Sequence, residues 1–103
     1  MCGIAGLILN EKEGTHDLEL IAKKMIHEIK HRGPDDLGSW VDPQKRVGIS
    51  HCRLSIVDLS SAGHQPMHSQ CKRYILSFNG EIYNHLEIRQ SLEKFLGNQL
   101  EWK

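Results

Sequence analysis

Along the chain, apolar residues first cluster from Gly3 to Leu9, a short run that predicts a buried strand starting almost at the first residue. Asn10 to Gly14 is polar and reads as a turn. Leu18, Ile21, Met25 and Ile29 then recur at helical spacing, which predicts a helix from about Asp17 to Lys30 with one apolar stripe. Thr15 is placed to cap it, Asp17 and Glu19 suit the positive end of its dipole, and Gly33-Pro34 stops it. Val47 to Cys52 alternates as a half-buried strand does, whereas Leu54 to Leu59 is apolar but broken by Ser55 and Asp58. Ser60 to Ser69, with Gly63 and Pro66, reads as a loop.

Tyr74 to Phe78 has the strongest strand pattern, and Asn79-Gly80 is a turn signal directly after it. Asn84 and Glu87 have the spacing of a reciprocal cap for a second helix, whose stripe Ile88, Leu92, Phe95 and Leu96 is expected to be buried before Gly97-Asn98 ends it. Gln99 to Lys103 reads as the start of another strand, so the sequence is expected to stop in mid-fold. The element order predicts an α+β or layered α/β fold without internal repeats.

A length of 103 residues suits one small domain. The 13 basic and 13 acidic side chains balance, which gives no reason to expect nucleic acid or a polybasic membrane contact. No apolar run approaches the roughly 20 residues of a membrane span. The first residues lack the basic flank of a signal peptide, so a cytoplasmic location is expected. Three cysteines, an odd number, make a poor disulfide framework, and packing is the expectation for Cys52 and Cys71. The pairs His27/His31 and His64/His68 have helical i, i+4 spacing, but no Glu follows His27 and Pro66 interrupts the second pair. No metal site is expected.

Several residues carry two readings each. Cys2 can be a small buried residue; with the initiator methionine removed, it instead combines a thiol and a free α-amine on one residue. The reference pKa of such an amine, about 7.7–8.0, suits a general base, so this nucleophile can activate itself. Gly3 would then let a substrate approach closely. Asn79-Gly80 is either a hairpin turn or a pair of oxyanion donors, each worth roughly 2.7–4 kcal/mol of barrier. Arg53 either covers a sheet edge or clamps a carboxylate with its planar fork. Glu81 is either a solvated turn residue or the acceptor for a substrate ammonium.

Four longer words tie these residues together: Met1-Cys2-Gly3-Ile4-Ala5-Gly6, His31-Arg32-Gly33-Pro34-Asp35-Asp36, His51 to Leu59, and Phe78-Asn79-Gly80-Glu81-Ile82-Tyr83-Asn84. In this order they resemble the glutaminase domain of the class II glutamine amidotransferases. The likeness is greatest to the asparagine-synthetase B type, in the variant that also reads Gly63-His64-Gln65-Pro66-Met67, and it covers Met1 to about Leu96. It implies the N-terminal nucleophile hydrolase fold, an αββα sandwich of two antiparallel sheets between helix layers, with only the first half present here.

It further implies that Cys2 attacks the side-chain amide of L-glutamine to form a γ-glutamyl thioester. Asn79 and the Gly80 N–H would hold the oxyanion, Arg53 the α-carboxylate and Glu81 the α-amine, with His31 to Asp36 as a supporting loop. Ammonia would pass to an acceptor domain or chain, where ATP and magnesium convert aspartate to asparagine; no cofactor is expected in this chain itself. A homodimer of the full-length protein is compatible with the resemblance.

The family's Ser-Asp-Thr-Glu-like segment would follow Lys103, and the synthetase domain is absent from these residues. Half a sandwich leaves a sheet face and an edge open, so this stretch alone is expected to be inactive. The alternatives are an amidotransferase with another acceptor, or an inactive remnant that binds a partner through its open sheet.

Overall fold

The computed structural model describes residues 1–10, 17–44 and 46–97. Its frame is a three-stranded antiparallel sheet: β1 (Gly3–Ile8) and β2 (Asp36–Val41) flank β3 (Val47–Arg53). Two further short strands, β4 (Met67–His68) and β5 (Ile75–Leu76), form a separate antiparallel pair. Helix α1 (Leu18–Glu28) packs on the sheet, and α2 (His85–Leu96) follows the second pair. The fold is therefore mixed α and β with antiparallel sheets.

The core lies between α1 and one face of β3. Leu18, Ala22 and Ile26, one helical turn apart, are buried against Ser50 and Cys52. The polar atoms there are satisfied: Ser50 Oγ donates to the Ala22 carbonyl at 3.0 Å, and Cys52 Sγ lies 3.4 Å from the Ile29 carbonyl. Ile21, Met25 and Ile29, expected at the centre of the stripe, are half-buried along its flank. The expected cap residue Thr15 lies outside the described residues; the observed cap is Asp17, whose Oδ1 accepts from Leu20 N at 3.1 Å.

Helix α1 ends in a 3-10 turn at Lys30–Arg32, and Gly33 brings this turn onto the sheet. A β-carbon on Gly33 would lie 2.6 Å from the Cys52 carbonyl oxygen, so only glycine permits this backbone-to-backbone approach. The Asp35 N–H then donates to the Arg53 carbonyl at 3.1 Å, and the chain enters β2.

Three local expectations change. Strand β2 was not anticipated: Asp36-Leu37-Gly38-Ser39 lacks alternation, and its extended form comes from pairing with β3. The strand expected over Tyr74 to Phe78 shrinks to Ile75–Leu76. Helix α2 forms with Asn84 at its N-cap position, but the Asn84 side chain makes no capping hydrogen bond. No residue of α2 is buried; Ile88 and Leu92 are exposed, and Phe95 is 85% exposed. Helical periodicity reveals an apolar face, but burial requires a surface for that face to meet. Gly97 ends α2 with a positive φ of 57°. The strand expected at Gln99 to Lys103 and the terminal Asn98 lie outside the described residues.

Candidate active site

Alternation along β3 sends Ser50 and Cys52 toward α1, and His51 and Arg53 to the opposite face. The end of β3 also lies beside the start of β1, because Gly3 pairs with Cys52. Cys2 therefore sits next to Arg53 and Leu54, although some fifty residues separate them in sequence. Gly3 itself faces the helix: a β-carbon there would lie 2.8 Å from Cys52 Sγ and 2.9 Å from Ile29 Cδ1. Its small size serves close packing, not the substrate approach expected from sequence.

A cleft of about 500 Å³ opens at this sheet end. Cys2, Arg53, Asn79, Gly80 and Glu81, the five residues singled out in the sequence, all line it. Its remaining walls include Leu54 to Asp58, Gly63, Gln65, Phe78 and Tyr83. No histidine is among the described residues lining it.

Cys2 is half-buried and held from several sides. Leu54 N–H donates to Cys2 Sγ at 3.3 Å, and the same sulfur lies 3.9 Å from the Leu54 carbonyl. The Cys2 carbonyl accepts from Asn79 Nδ2 at 3.1 Å and from Arg32 Nε at 3.2 Å. Two side chains from distant segments thus fix the backbone of the thiol-bearing residue. Asn79 keeps a second amide N–H, and Gly80 follows it in the lining of the same cleft. Met1, exposed, borders the cleft.

The Arg53 side chain is 12% exposed. Its Nη1 donates to the Ser60 carbonyl at 2.7 Å, and its Nη2 donates to the Asp58 carbonyl. The Asp58 carboxylate stands 4.0 Å away, and the Ser60 N–H holds its carboxyl below the usual carboxylate range. Arg53 is thus seated in a loop instead of covering a sheet edge.

Two features of the site, and one buried residue near it, were not read from sequence. Arg32 was assigned only to a supporting loop, but its Nε holds the Cys2 carbonyl. The Leu54 N–H on sulfur has no side-chain signal at all. His51, 1% exposed, has neither ring nitrogen hydrogen-bonded among the described residues. Burial pushes its imidazole below the ordinary pKa, while the Phe78 backbone and Asp36 pull the other way.

Of the other candidates, His64 is engaged by Asp36, with Nδ1 2.6 Å from Oδ2. No group of three or more His, Cys, Asp or Glu among the described residues is arranged to hold a metal ion. Cys71, exposed and away from the cleft, has its thiol pulled below the ordinary pKa by the Ser69 hydroxyl. No helix of the described residues is long and apolar enough to cross a membrane.

A thiol at the head of a strand, a side-chain amide, an arginine and a glutamate thus share one cleft. The family model described as "Glutamine amidotransferase domain" matches residues 1–101, and the chain belongs to that family. It is 38% identical over 119 residues to the putative asparagine synthetase [glutamine-hydrolyzing] 2 of Methanocaldococcus jannaschii, covering 98% of this chain and 22% of that protein. Asparagine synthetase [glutamine-hydrolyzing] 1 of Bacillus subtilis is 42% identical over 94 residues, covering 90% and 14%. Amidase chry2 of Gibberella zeae is 36% identical over 109 residues, covering 95% and 16%. The chain thus spans less than a quarter of the length of these relatives.

Proposed function

We propose that these residues form the N-terminal part of the glutaminase domain of a glutamine-hydrolysing asparagine synthetase. The observation that carries this reading is the convergence of Cys2, Arg53, Asn79, Gly80 and Glu81, from three separate segments, on one cleft. With Met1 removed, the Cys2 α-amine takes the thiol proton, a role that no histidine of the described cleft lining can fill. The thiolate attacks the side-chain amide carbon of glutamine. Asn79 Nδ2 and the Gly80 N–H hold the resulting oxyanion. As the C–N bond breaks, the amine returns its proton to the departing ammonia. Water then cleaves the thioester, releasing glutamate and regenerating the thiol.

Arg53 binds the substrate α-carboxylate, and Glu81 binds its α-ammonium. The mixed α and β frame is compatible with the first half of an αββα sandwich, and the exposed stripe of α2 fits a helix awaiting further structure. Ammonia passes to a synthetase domain outside these 103 residues, to which we assign ATP and magnesium. We place the working enzyme in the cytoplasm.

The test uses the whole product of the reading frame that carries these residues. Intact mass should show loss of Met1, and glutamate release from glutamine should vanish in Cys2→Ala. Undiminished hydrolysis by the Cys2→Ala protein would sink the mechanism. Glutaminase activity without ATP-dependent asparagine formation would reject only the asparagine-synthetase assignment.

A further inference from the structure

We propose that Gly63 is a positioning residue for substrate recognition: its missing side chain leaves the space in which the Arg53 guanidinium is held. This inference rests on the assignment of the substrate α-carboxylate to Arg53. Arg53 leaves the last position of β3, and its guanidinium donates to the carbonyls of Asp58 and Ser60. The loop that supplies these carbonyls is itself stiffened. Asp58 Oδ1 accepts from Ser60 N at 2.8 Å, and Ser60 Oγ accepts from Ala62 N at 3.2 Å, capping the 3-10 turn Ser61–Gly63. The turn closes over the guanidinium at Gly63, and both Arg53 and Gly63 line the cleft.

A β-carbon at Gly63 would overlap Arg53 Nη2 and Cζ and would lie 2.9 Å from Nε. Gly63 is not among the residues with positive φ, so the position requires an absent side chain and not glycine's backbone freedom. The obstacle is the far end of a long, flexible side chain. Alanine at 63 would therefore make the arginine swing aside while the backbone stays in place. That movement breaks the two carbonyl contacts and takes the remaining N–H groups away from the place where a carboxylate would be met. A fork that must engage a carboxylate at two points tolerates little displacement. The penalty falls on substrates with an α-carboxylate and leaves the reactivity of Cys2 itself unchanged.

The experiment labels Cys2 in the whole gene product with the chloroketone analogue of glutamine. The thiolate displaces chloride from this probe, and peptide mapping locates the adduct. Gly63→Ala should raise the half-saturating probe concentration about tenfold or more, the scale of a lost charge-assisted hydrogen bond, with the maximal labelling rate little changed. Iodoacetamide, which has no carboxylate, should label Cys2 at the parent rate. In an Arg53→Ala background, Gly63→Ala should have no further effect, because the side chain it displaces is gone.

If Arg53→Ala raises half-saturation and Gly63→Ala does not, the Gly63 inference is overturned while the Arg53 assignment stands. If neither does, the carboxylate assignment falls and takes the inference with it. An equal effect of Gly63→Ala with and without Arg53 would show that the substitution acts through folding, which also overturns it.

Discussion

Replacing Asn79 by alanine removes one observed interaction and one proposed interaction, and the two are separable. Asn79 Nδ2 donates to the Cys2 carbonyl at 3.1 Å, and Asn79 is exposed. A neutral hydrogen bond of this kind contributes about 0.5–1 kcal/mol, and Arg32 Nε would still hold the same carbonyl. The loss of stability should therefore be small. The second amide N–H is the proposed oxyanion donor, and losing one such donor costs about 10²–10³ in kcat. This cleft is open to solvent, which weakens electrostatic stabilisation, so the lower end, about 100-fold, is expected.

The assay is steady-state glutamate release by the whole gene product, run beside iodoacetamide labelling of Cys2. Labelling develops no oxyanion, so its rate should change less than about threefold while hydrolysis falls about 100-fold. Asn79→Asp, which has the same shape but no amide donor and adds a negative charge, should be at least as impaired. A fall in hydrolysis below about fivefold, or an equal fall in labelling, would refute the oxyanion role and leave Asn79 as a backbone anchor only.

Two predictions concern the frame. Leu18→Ala, at a side chain 1% exposed between α1 and β3, should cost about 3–5 kcal/mol and lower the melting temperature by more than about 10 °C, read by circular dichroism. A shift of a degree or two would mean that the described core is not the one that holds the fold. His51 should make stability pH-dependent. Burial lowers its folded pKa below the unfolded value near 6.5, so the unfolded chain binds the proton first as pH falls. Its stabilising contribution is present above pH about 6.5 and is lost below it, at up to about 1.4 kcal/mol per pH unit, until the folded pKa is passed. Denaturant midpoints between pH 8 and 5 should show this slope in the parent and a shallower one in His51→Asn. Parallel profiles would show that His51 is not responsible.

The linear sequence determined much of this protein because local physics acts over a few residues. Helical spacing placed α1 and α2, Gly33-Pro34 and Gly97 marked their ends, and the alternation from Val47 to Cys52 placed β3 almost to the residue. The candidate residues Cys2, Arg53, Asn79, Gly80 and Glu81 were also singled out in advance, partly through residue type and chiefly through the longer words around them. Their convergence on one cleft was not, because it depends on β1 pairing with β3 and on the Asn79 turn reaching the Cys2 carbonyl. Strand β2 likewise exists through its partner, since Asp36 to Ser39 has no strand pattern of its own.

Tertiary structure also decided what each small or apolar residue is for. Gly3 fills a tight contact with Cys52 and Ile29, Gly63 makes room for a guanidinium, and the apolar face of α2 stays uncovered within the described residues. Sequence patterns specify what a segment can bury or bond. Which segment it meets is a property of the assembled chain.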